Sequence, residues 1–449
     1  MKKKTFHLVS LGCAKNTVDS DSMAQLLQQD GFFGEADPKN AEILVVNTCG
    51  FIESAREESY AVLQELASDK EKGQLLIAAG CLTQRYGEEV ARRIPGIDGI
   101  LGTRRWMDIL QVVKNLRDGD YPQPLYHLPL ADVVGGSPPE TVSAHIQGGS
   151  AYLKIADGCR RPCAFCAIPM IKGTAVSRPI KDLLRDARYL QSQNVREINL
   201  IAQDTTDYGH DLNQKEGLAG LLEVLTGAVP DVNWIRILYA YPGYITDRLI
   251  KVMAAHKQIL PYIDIPLQHA DPEVLRSMRR PANMDWVHQT VGKLRKEMPT
   301  LALRTTFIVG YPGETEKAFE SLLDFVKEVR FDRIGVFDYS FESGTASEAL
   351  GDPVPAALKA ERKEQLMLLQ QGISLENNQT LVGQTLEVLI EGQGVIEDSG
   401  EMISLGRTYR DAPEIDGMVI VEGKLPEGEI SPVRITGAMT YDLTGVPVV

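Results

Sequence analysis

The sequence predicts an α/β protein in three parts: an N-terminal open parallel α/β domain, a central partial (β/α)6 barrel and a small C-terminal β-barrel. Three observations carry this. Apolar runs alternate with polar helical stretches across residues 1–116, and strands separated by helices pair in parallel through right-handed crossovers. The alternation returns over residues 151–375 as six βα units, fewer than the eight that close a full barrel. After Asn378 the helical period is lost, and short β-like runs are separated by Gly, Pro and acidic turns, the texture of a small all-β barrel spanning 376–449.

Each element follows from its residues. The first domain offers strands at Phe6–Leu11, Ile43–Asn47, Leu75–Ala79 and Gly99–Leu101, with helices such as Ser20–Gln29 and Ala55–Ala67 between them. From Arg117 to Ser150 the pattern fails. Pro122, Pro124, Pro129, Pro138 and Pro139 punctuate it, and 117–150 reads as a linker. The barrel strands fall at Tyr152–Ala156, Glu197–Ile201, Trp234–Tyr239, Tyr262–Pro266, Leu301–Gly310 and Arg333–Tyr339, with helices such as Ile180–Gln193 and Thr315–Val329. A helix over Ala356–Asn377 closes this part. The last domain has β-like runs at Thr385–Ile390, Gly417–Val421 and Ser431–Ala438.

Composition narrows the function classes. The 449 residues are 43% apolar and 24% charged, a globular balance that excludes whole-chain disorder. No run approaches the roughly 20 apolar residues that span a bilayer. Met1-Lys2-Lys3-Lys4 has the positive flank of an export signal, but the apolar segment behind it is short and reads as a first strand. A cytoplasmic protein is expected. The net charge of −14 is the wrong sign for gripping nucleic acid through phosphates. Six cysteines are too few for a disulfide scaffold, and clustered thiols in a reducing compartment hold metal or do catalysis.

Those six fall into two sets. Cys159, Cys163 and Cys166 form Cys-x3-Cys-x2-Cys directly after the first barrel strand, where barrel loops carry chemistry. Tetrahedral zinc wants four ligands, and the nearest histidines in sequence are His145 and His210. A 4Fe–4S cluster held by three thiolates keeps one iron open. Cys13, Cys49 and Cys81 each close one of the first three strands. In an open parallel sheet the carboxyl ends of the strands are where ligands bind, so three distant thiols can meet there. The flanking glycines Gly12, Gly50 and Gly80 would let backbone approach a bulky cluster.

Cys159-Arg160-Arg161-Pro162-Cys163-Ala164-Phe165-Cys166 resembles the signature of radical S-adenosylmethionine (SAM) enzymes, with Phe165 in the aromatic place. The resemblance implies that the open iron chelates SAM, and that one electron cleaves it to methionine and a 5′-deoxyadenosyl radical. Leu11-Gly12-Cys13-Ala14-Lys15-Asn16, Asn47-Thr48-Cys49-Gly50-Phe51 and Gly80-Cys81 resemble the first domain of radical-SAM methylthiotransferases. The order of parts matches too, with a TRAM-like C-terminal barrel. Membership of that family implies a second, auxiliary 4Fe–4S cluster on Cys13, Cys49 and Cys81. It also implies SAM as both methyl donor and radical source, and an electron donor such as flavodoxin or ferredoxin.

Branches of that family modify either adenosine in transfer RNA or an aspartate β-carbon of ribosomal protein S-twelve. Cys13-Ala14-Lys15-Asn16, Pro266-Leu267-Gln268-His269-Ala270 and the run from Gly406 to Gly417, with its Asp-Ala-Pro-Glu-Ile-Asp-Gly, resemble the protein-directed branch. Residues 376–449 contain 4 basic and 13 acidic side chains, a net charge of −9. Such a domain repels RNA and attracts a basic ribosomal protein, or simply keeps the chain soluble. The tRNA reading is the alternative. A non-catalytic iron–sulfur carrier is another, although a carrier has no need of an aromatic inside the cysteine motif.

Further SAM contacts are expected at Phe165, Gln203, Ile308, Gly310, Arg178 and Arg304. Phe307 to Glu314 approximates a Gly-x-Ile-x-Gly-x-x-Glu adenine motif, with Thr306 in its first place and Glu314 one place late. Glu314 therefore reads as structural. Arg178 and Arg304 suit carboxylates of SAM or substrate, or ordinary buried ion pairs. Gln203-Asp204 reads as a SAM amino-group contact or a loop cap. His269, near the barrel mouth, reads as a satisfied structural histidine or a substrate-positioning one.

Overall fold

The computed structural model describes residues 4–119, 124–396 and 400–448; Met1 to Lys3 and Pro122, used above, lie outside them. The first domain runs β1 (Thr5–Ser10), α1 (Ala14–Gln29), β2 (Phe33–Gly34), β3 (Ile43–Thr48), α2 (Glu53–Asp69), β4 (Leu75–Gly80), α3 (Cys81–Arg93), β5 (Gly99–Gly102), α4 (Ile109–Asp118) and β6 (Leu125–His127). Its strands form one parallel sheet in the order β2-β1-β3-β4-β5-β6. Ile43-Leu44-Val45-Val46 makes β3 the centre, because a parallel strand buried on both faces must be apolar throughout. Ile43 and Val45 join the core under α1 and α4; Leu44 and Val46 join the core under α2 and α3.

The second part runs β7 (Ala144–Gln147), β8 (Ser150–Lys154), β9 (Ala156–Asp157), α5 (Ile168–Lys172), β10 (Val176–Ser177), α6 (Ile180–Ser192), β11 (Glu197–Ile201), α7 (Gly217–Ala228), β12 (Trp234–Ile237) and α8 (Asp247–Ala255). It continues through β13 (Ile259–Asp264), α9 (Pro272–Ser277), α10 (Met284–Glu297), β14 (Ala302–Val309), α11 (Glu316–Val329), β15 (Arg333–Asp338) and α12 (Ala356–Gln379). The sheet order is β7-β8-β11-β12-β13-β14-β15, with β7 antiparallel and the other six parallel. The third part, β16 (Thr385–Val395), β17 (Met402–Arg407), β18 (Val419–Glu422), β19 (Ile430–Ala438) and β20 (Leu443–Pro447), closes into a five-stranded barrel.

The segment 117–150, read as a linker, includes two short strands among its described residues. It contains the edge strands β6, paired with β5, and β7, paired with β8. An edge strand uses only one side of its backbone, so these strands survive in sequence that the prolines make look like coil.

The open barrel is plugged from both ends. One apolar cluster joins barrel residues Tyr152, Trp234, Leu238 and Tyr262 to Val18 of α1 and to Leu389 and Ala412 of the third domain. The first domain meets the carboxyl ends of the strands. There Asp19 of α1 pairs with Lys154 and Lys172, and both lysines pair with Asp157. Arg56 and Arg85 share Glu342 at 2.5 and 2.6 Å. The third domain meets the opposite end. Arg407 and Arg236 both grip buried Glu197, at 2.6 and 2.8 Å, and Asp411 pairs with Arg333 at 2.6 Å.

That last junction predicts a pH dependence. Burial pushes the Glu197 carboxyl up, but Arg407 and Arg236 outweigh it and hold its pKa at about 2. A carboxyl with a lowered folded pKa contributes stability above its unfolded value, and that stability is lost as pH falls through the folded one. Wild type should therefore lose melting temperature between about pH 5 and pH 2. Glu197→Gln should start lower and show a flatter profile, read by thermal melts across that range.

Candidate active site

The site is built on strand ends. Cys13 precedes α1, Cys49 follows β3, and Cys81 opens α3 directly after β4. Two helices therefore point their positive N-terminal ends at this trio, which favours thiolates and an anionic cluster. Two glycines bring the strand ends together. A Cβ on Gly12, whose φ is +91°, would stand 2.8 Å from Cys49 Cβ and 3.0 Å from its Sγ. A Cβ on Gly50 would stand 2.6 Å from the backbone of Leu82. These two glycines let Cys49 and the start of α3 close up on the strand ends.

Asn16 is the hub of the trio, and the sequence reading gave it no role beyond the family resemblance. Its amide donates to Leu11 O (3.0 Å) and Thr48 O (3.1 Å), and its Oδ1 lies 3.7 Å from Cys81 Sγ. Asn47 donates in turn to Asn16 O and Ser20 Oγ, each at 2.9 Å. Two asparagines close to strand-end cysteines, Asn16 three positions after Cys13 and Asn47 two before Cys49, both buried to 1–2% exposure, were the available signal.

The second trio sits between β9 and α5. Cys159, Cys163 and Cys166 line a cavity of about 410 Å³ together with Arg161, Met170 and Thr345. Cys159 accepts from the Arg161 amide at 3.5 Å. Cys163 Sγ accepts from Arg280 Nη1 at 3.5 Å and lies 3.9 Å from the Tyr241 hydroxyl. Arg280 and Arg161 cover the Tyr241 ring at 4.3 and 4.6 Å. Arg161 is itself fixed by Asp204 at 2.6 Å, and Arg160 by Asp207 at 2.5 Å. Tyr241 and Arg280 carried no readable signal, being brought in from remote loops.

Burial raises the free thiols: Cys159 to about 11, Cys81 and Cys166 to about 12, and Cys49 upward. Such thiols are neutral near pH 7, so each releases a proton when iron takes it, and loading is favoured as pH rises. Among the described residues no three His, Cys, Asp or Glu are grouped to hold a single metal ion. A four-iron cluster makes a different demand, since there each thiolate takes a different iron.

The two trios are neighbours. Cys81 packs against Ala167 and Ile171, the residues immediately behind Cys166 and within α5. The carboxyl end of α5 is held to the first domain by Arg104, which donates to Met170 O (2.6 Å) and Ile171 O (2.9 Å).

The remaining expected contacts divide. Phe165 and Ile308 pack on the same apolar cluster of Val274, Met278, Tyr311, Ala318 and Tyr339, giving one apolar wall. Gln203 Oε1 and Gln268 Oε1 are buried without a protein partner, acceptors that suit a bound amino group. Gly310 donates its amide to Glu314 Oε2 at 2.7 Å, and Arg362 takes the other Glu314 oxygen at 2.8 Å. Glu314 therefore ties the end of β14 to α12. His269 Nδ1 accepts from the Asp271 amide at 2.9 Å, leaving Nε2 buried 3.7 Å from Glu314. Arg178 and Arg304 have protein partners instead of facing the cavity. Arg178 meets Asp186 at 2.5 Å and Lys154 O at 2.9 Å. Arg304 is held between Asp264 (3.0 Å) and Asp416 (3.2 Å), the latter delivered by the third domain.

This fold and its Cys-x3-Cys-x2-Cys loop define a radical SAM protein. Residues 153–326 match the Radical SAM superfamily, residues 5–102 match uncharacterized protein family UPF0004, and residues 382–448 match the TRAM domain. Among solved structures, the radical SAM methyltransferase TsrM from Kitasatospora setae superposes with a TM-score of 0.57 at 13% identity, covering 75% of this chain and 73% of that one. The ribosomal protein uS12 methylthiotransferase RimO of Chloroflexus aurantiacus is 47% identical over 98% of this chain and 99% of its own. The protein of the same name from Roseiflexus sp. is 45% identical over 98% and 96%, and that from Herpetosiphon aurantiacus 44% over 98% and 99%. The chain belongs to the ribosomal protein uS12 methylthiotransferase (RimO) family.

Proposed function

We propose that this chain places a methylthio group on the β-carbon of an aspartate of ribosomal protein uS12, using SAM and two 4Fe–4S clusters. The observation that carries the reading is the adjacency of two three-cysteine sets across the contact of Cys81 with α5. Cys159, Cys163 and Cys166 would hold one cluster and Cys13, Cys49 and Cys81 the other. When bound, the first supplies the electron that cleaves SAM and the second relays sulfur.

The chain's own residues bind and orient. Phe165 and Ile308 offer SAM an apolar wall, and the Gln203 and Gln268 oxygens accept from its amino group. Arg280 keeps positive charge beside Cys163, and the Tyr241 hydroxyl stands beside the same thiol. The electron arrives from a donor such as flavodoxin or ferredoxin. Among the described residues no helix is long and apolar enough to cross a membrane, and a ribosomal substrate places the reaction in the cytoplasm. The net charge of −9 over residues 376–449 favours a basic protein over RNA, whose phosphates need cations. Part of that charge is spent internally, since Asp411 and Asp416 are buried against barrel arginines.

The test is peptide mass spectrometry of uS12 from cells with and without the gene. One aspartate should carry the methylthio mass only when the gene is present; an unchanged mass rejects the substrate. Transfer RNA from the same cells should be unaltered.

A further inference from the structure

We infer that Lys15 reads the carboxylate of the substrate aspartate, making it a specificity-determining residue for the proposed reaction. The inference rests on the aspartate substrate proposed above. Lys15 is the second residue of α1, two positions after Cys13. It is only 8% exposed, and its ammonium stands 3.6 Å above the ring of Tyr239. Tyr239 lies just beyond β12, at the carboxyl end of the barrel strands. Lys15 thus occupies the seam between the cysteine trio of the first domain and the mouth of the barrel.

Its surroundings lack one thing. Lys154 and Lys172, the other two buried lysines of this seam, each pair with both Asp19 and Asp157. Among the described residues no carboxylate pairs with Lys15. An aromatic face stabilises an ammonium only partly, and a buried charge ordinarily finds a counter-ion. The network next to it is already balanced, with two lysines and two aspartates. Asp264, which accepts from the Tyr239 amide at 3.4 Å, is taken by Arg304. Besides the Cys13 thiol, whose negative charge when ionised also favours the ammonium, the anion that Lys15 lacks would come from a ligand.

The backbone holds the platform in place. Tyr239 adopts φ +61°, uncommon for a residue with a side chain. Its carbonyl accepts from the Thr205 amide at 3.1 Å. A rigid ring under an unpaired ammonium, beside a cysteine of the sulfur-relaying trio, would hold a carboxylate and so present its neighbouring carbon. Asparagine in place of aspartate would lose the charge that Lys15 complements.

The experiment is a double-mutant cycle on the anaerobic, cluster-loaded enzyme with SAM, measuring the affinity of labelled uS12 carrying Asp or Asn at the modified position. Wild type should prefer Asp by about tenfold or more, the scale of a charge-assisted hydrogen bond. Lys15→Met should reduce that preference to near one, and Lys15→Arg should restore it. A preference that persists in Lys15→Met overturns the assignment. So does equal weakening of both ligands with a changed cluster EPR spectrum, which would give the charge to the cluster instead. Should Lys15→Met bind neither ligand, Lys15→Arg decides: loss of the Asp preference there counts against the proposal. Wild type that fails to methylthiolate uS12 rejects the functional reading itself, a result separable from the behaviour of the Lys15 variants.

Discussion

Cys163→Ala is expected to abolish 5′-deoxyadenosine release from SAM, whereas Cys49→Ala is expected to leave release measurable while stopping methylthiolation. The two cysteines stand on different domains. Cys163 lines the barrel cavity with Cys159 and Cys166 and faces Tyr241 and Arg280. Cys49 stands in the first domain against Gly12, and Cys81, not Cys49, makes the α5 contact. Loss of an outer partner of a metal ligand typically costs 10–100-fold, so loss of a ligand should cost about 100-fold or more in its own step. Iron and sulfide analysis supplies a readout independent of turnover: about eight irons per chain in wild type and nearer four in either variant. Equal loss of SAM cleavage in both variants, with Cys49→Ala still holding about four irons, would contradict the division of labour. Wild type with about four irons would remove the second cluster.

How much of this was legible depended on whether the signal was local. The strands β3 and β4 could be read because Ile43-Leu44-Val45-Val46 and Leu76-Ile77-Ala78-Ala79 are apolar runs buried on both faces. Each of Cys13, Cys49 and Cys81 could be placed because it closes a recognisable strand, and strand ends of a parallel sheet converge. The short edge strands β2 and β6 could not, since two or three residues make no period. Nor could the arginine roles: the partners of Arg304 are 40 and 112 positions away in sequence, at Asp264 and Asp416. The same distance hid the fate of the C-terminal charge. The run from Gly406 to Gly417 read as a branch signature, but in the fold it is an anchor. Arg407, Asp411 and Asp416 lock the third domain to the amino ends of the barrel strands. A family motif can thus mark a junction as well as a site.

Asp19→Ala is expected to give the largest loss of stability among substitutions outside the cysteines. Asp19 accepts from both Lys154 and Lys172, and all three are almost fully buried. Removing it leaves two ammoniums to share Asp157. Breaking a buried ion pair by deleting one partner typically costs about 3–5 kcal/mol, because the survivor stays desolvated and uncompensated. The location makes the effect functional as well. Asp19 lies on α1 behind Cys13, Asp157 precedes Cys159, and Lys172 ends the helix that packs Ala167 and Ile171 on Cys81. In the proposed reaction sulfur would cross the seam that this network holds, so Asp19→Ala should lower methylthiolation more than SAM cleavage. Burial raises the Asp157 carboxyl, but Lys154 and Lys172 prevail and hold it well below the ordinary aspartate range. Its contribution is thus present above the unfolded value and is lost as pH falls toward the lowered one. Calorimetry of Asp19→Ala should show a clear drop in melting temperature at neutral pH. Glu57→Gln, which removes an exposed pair with Arg93, should shift it little, as exposed pairs contribute about 0–1 kcal/mol. Equal melting of these two variants would mean that the buried network does not hold the domains together.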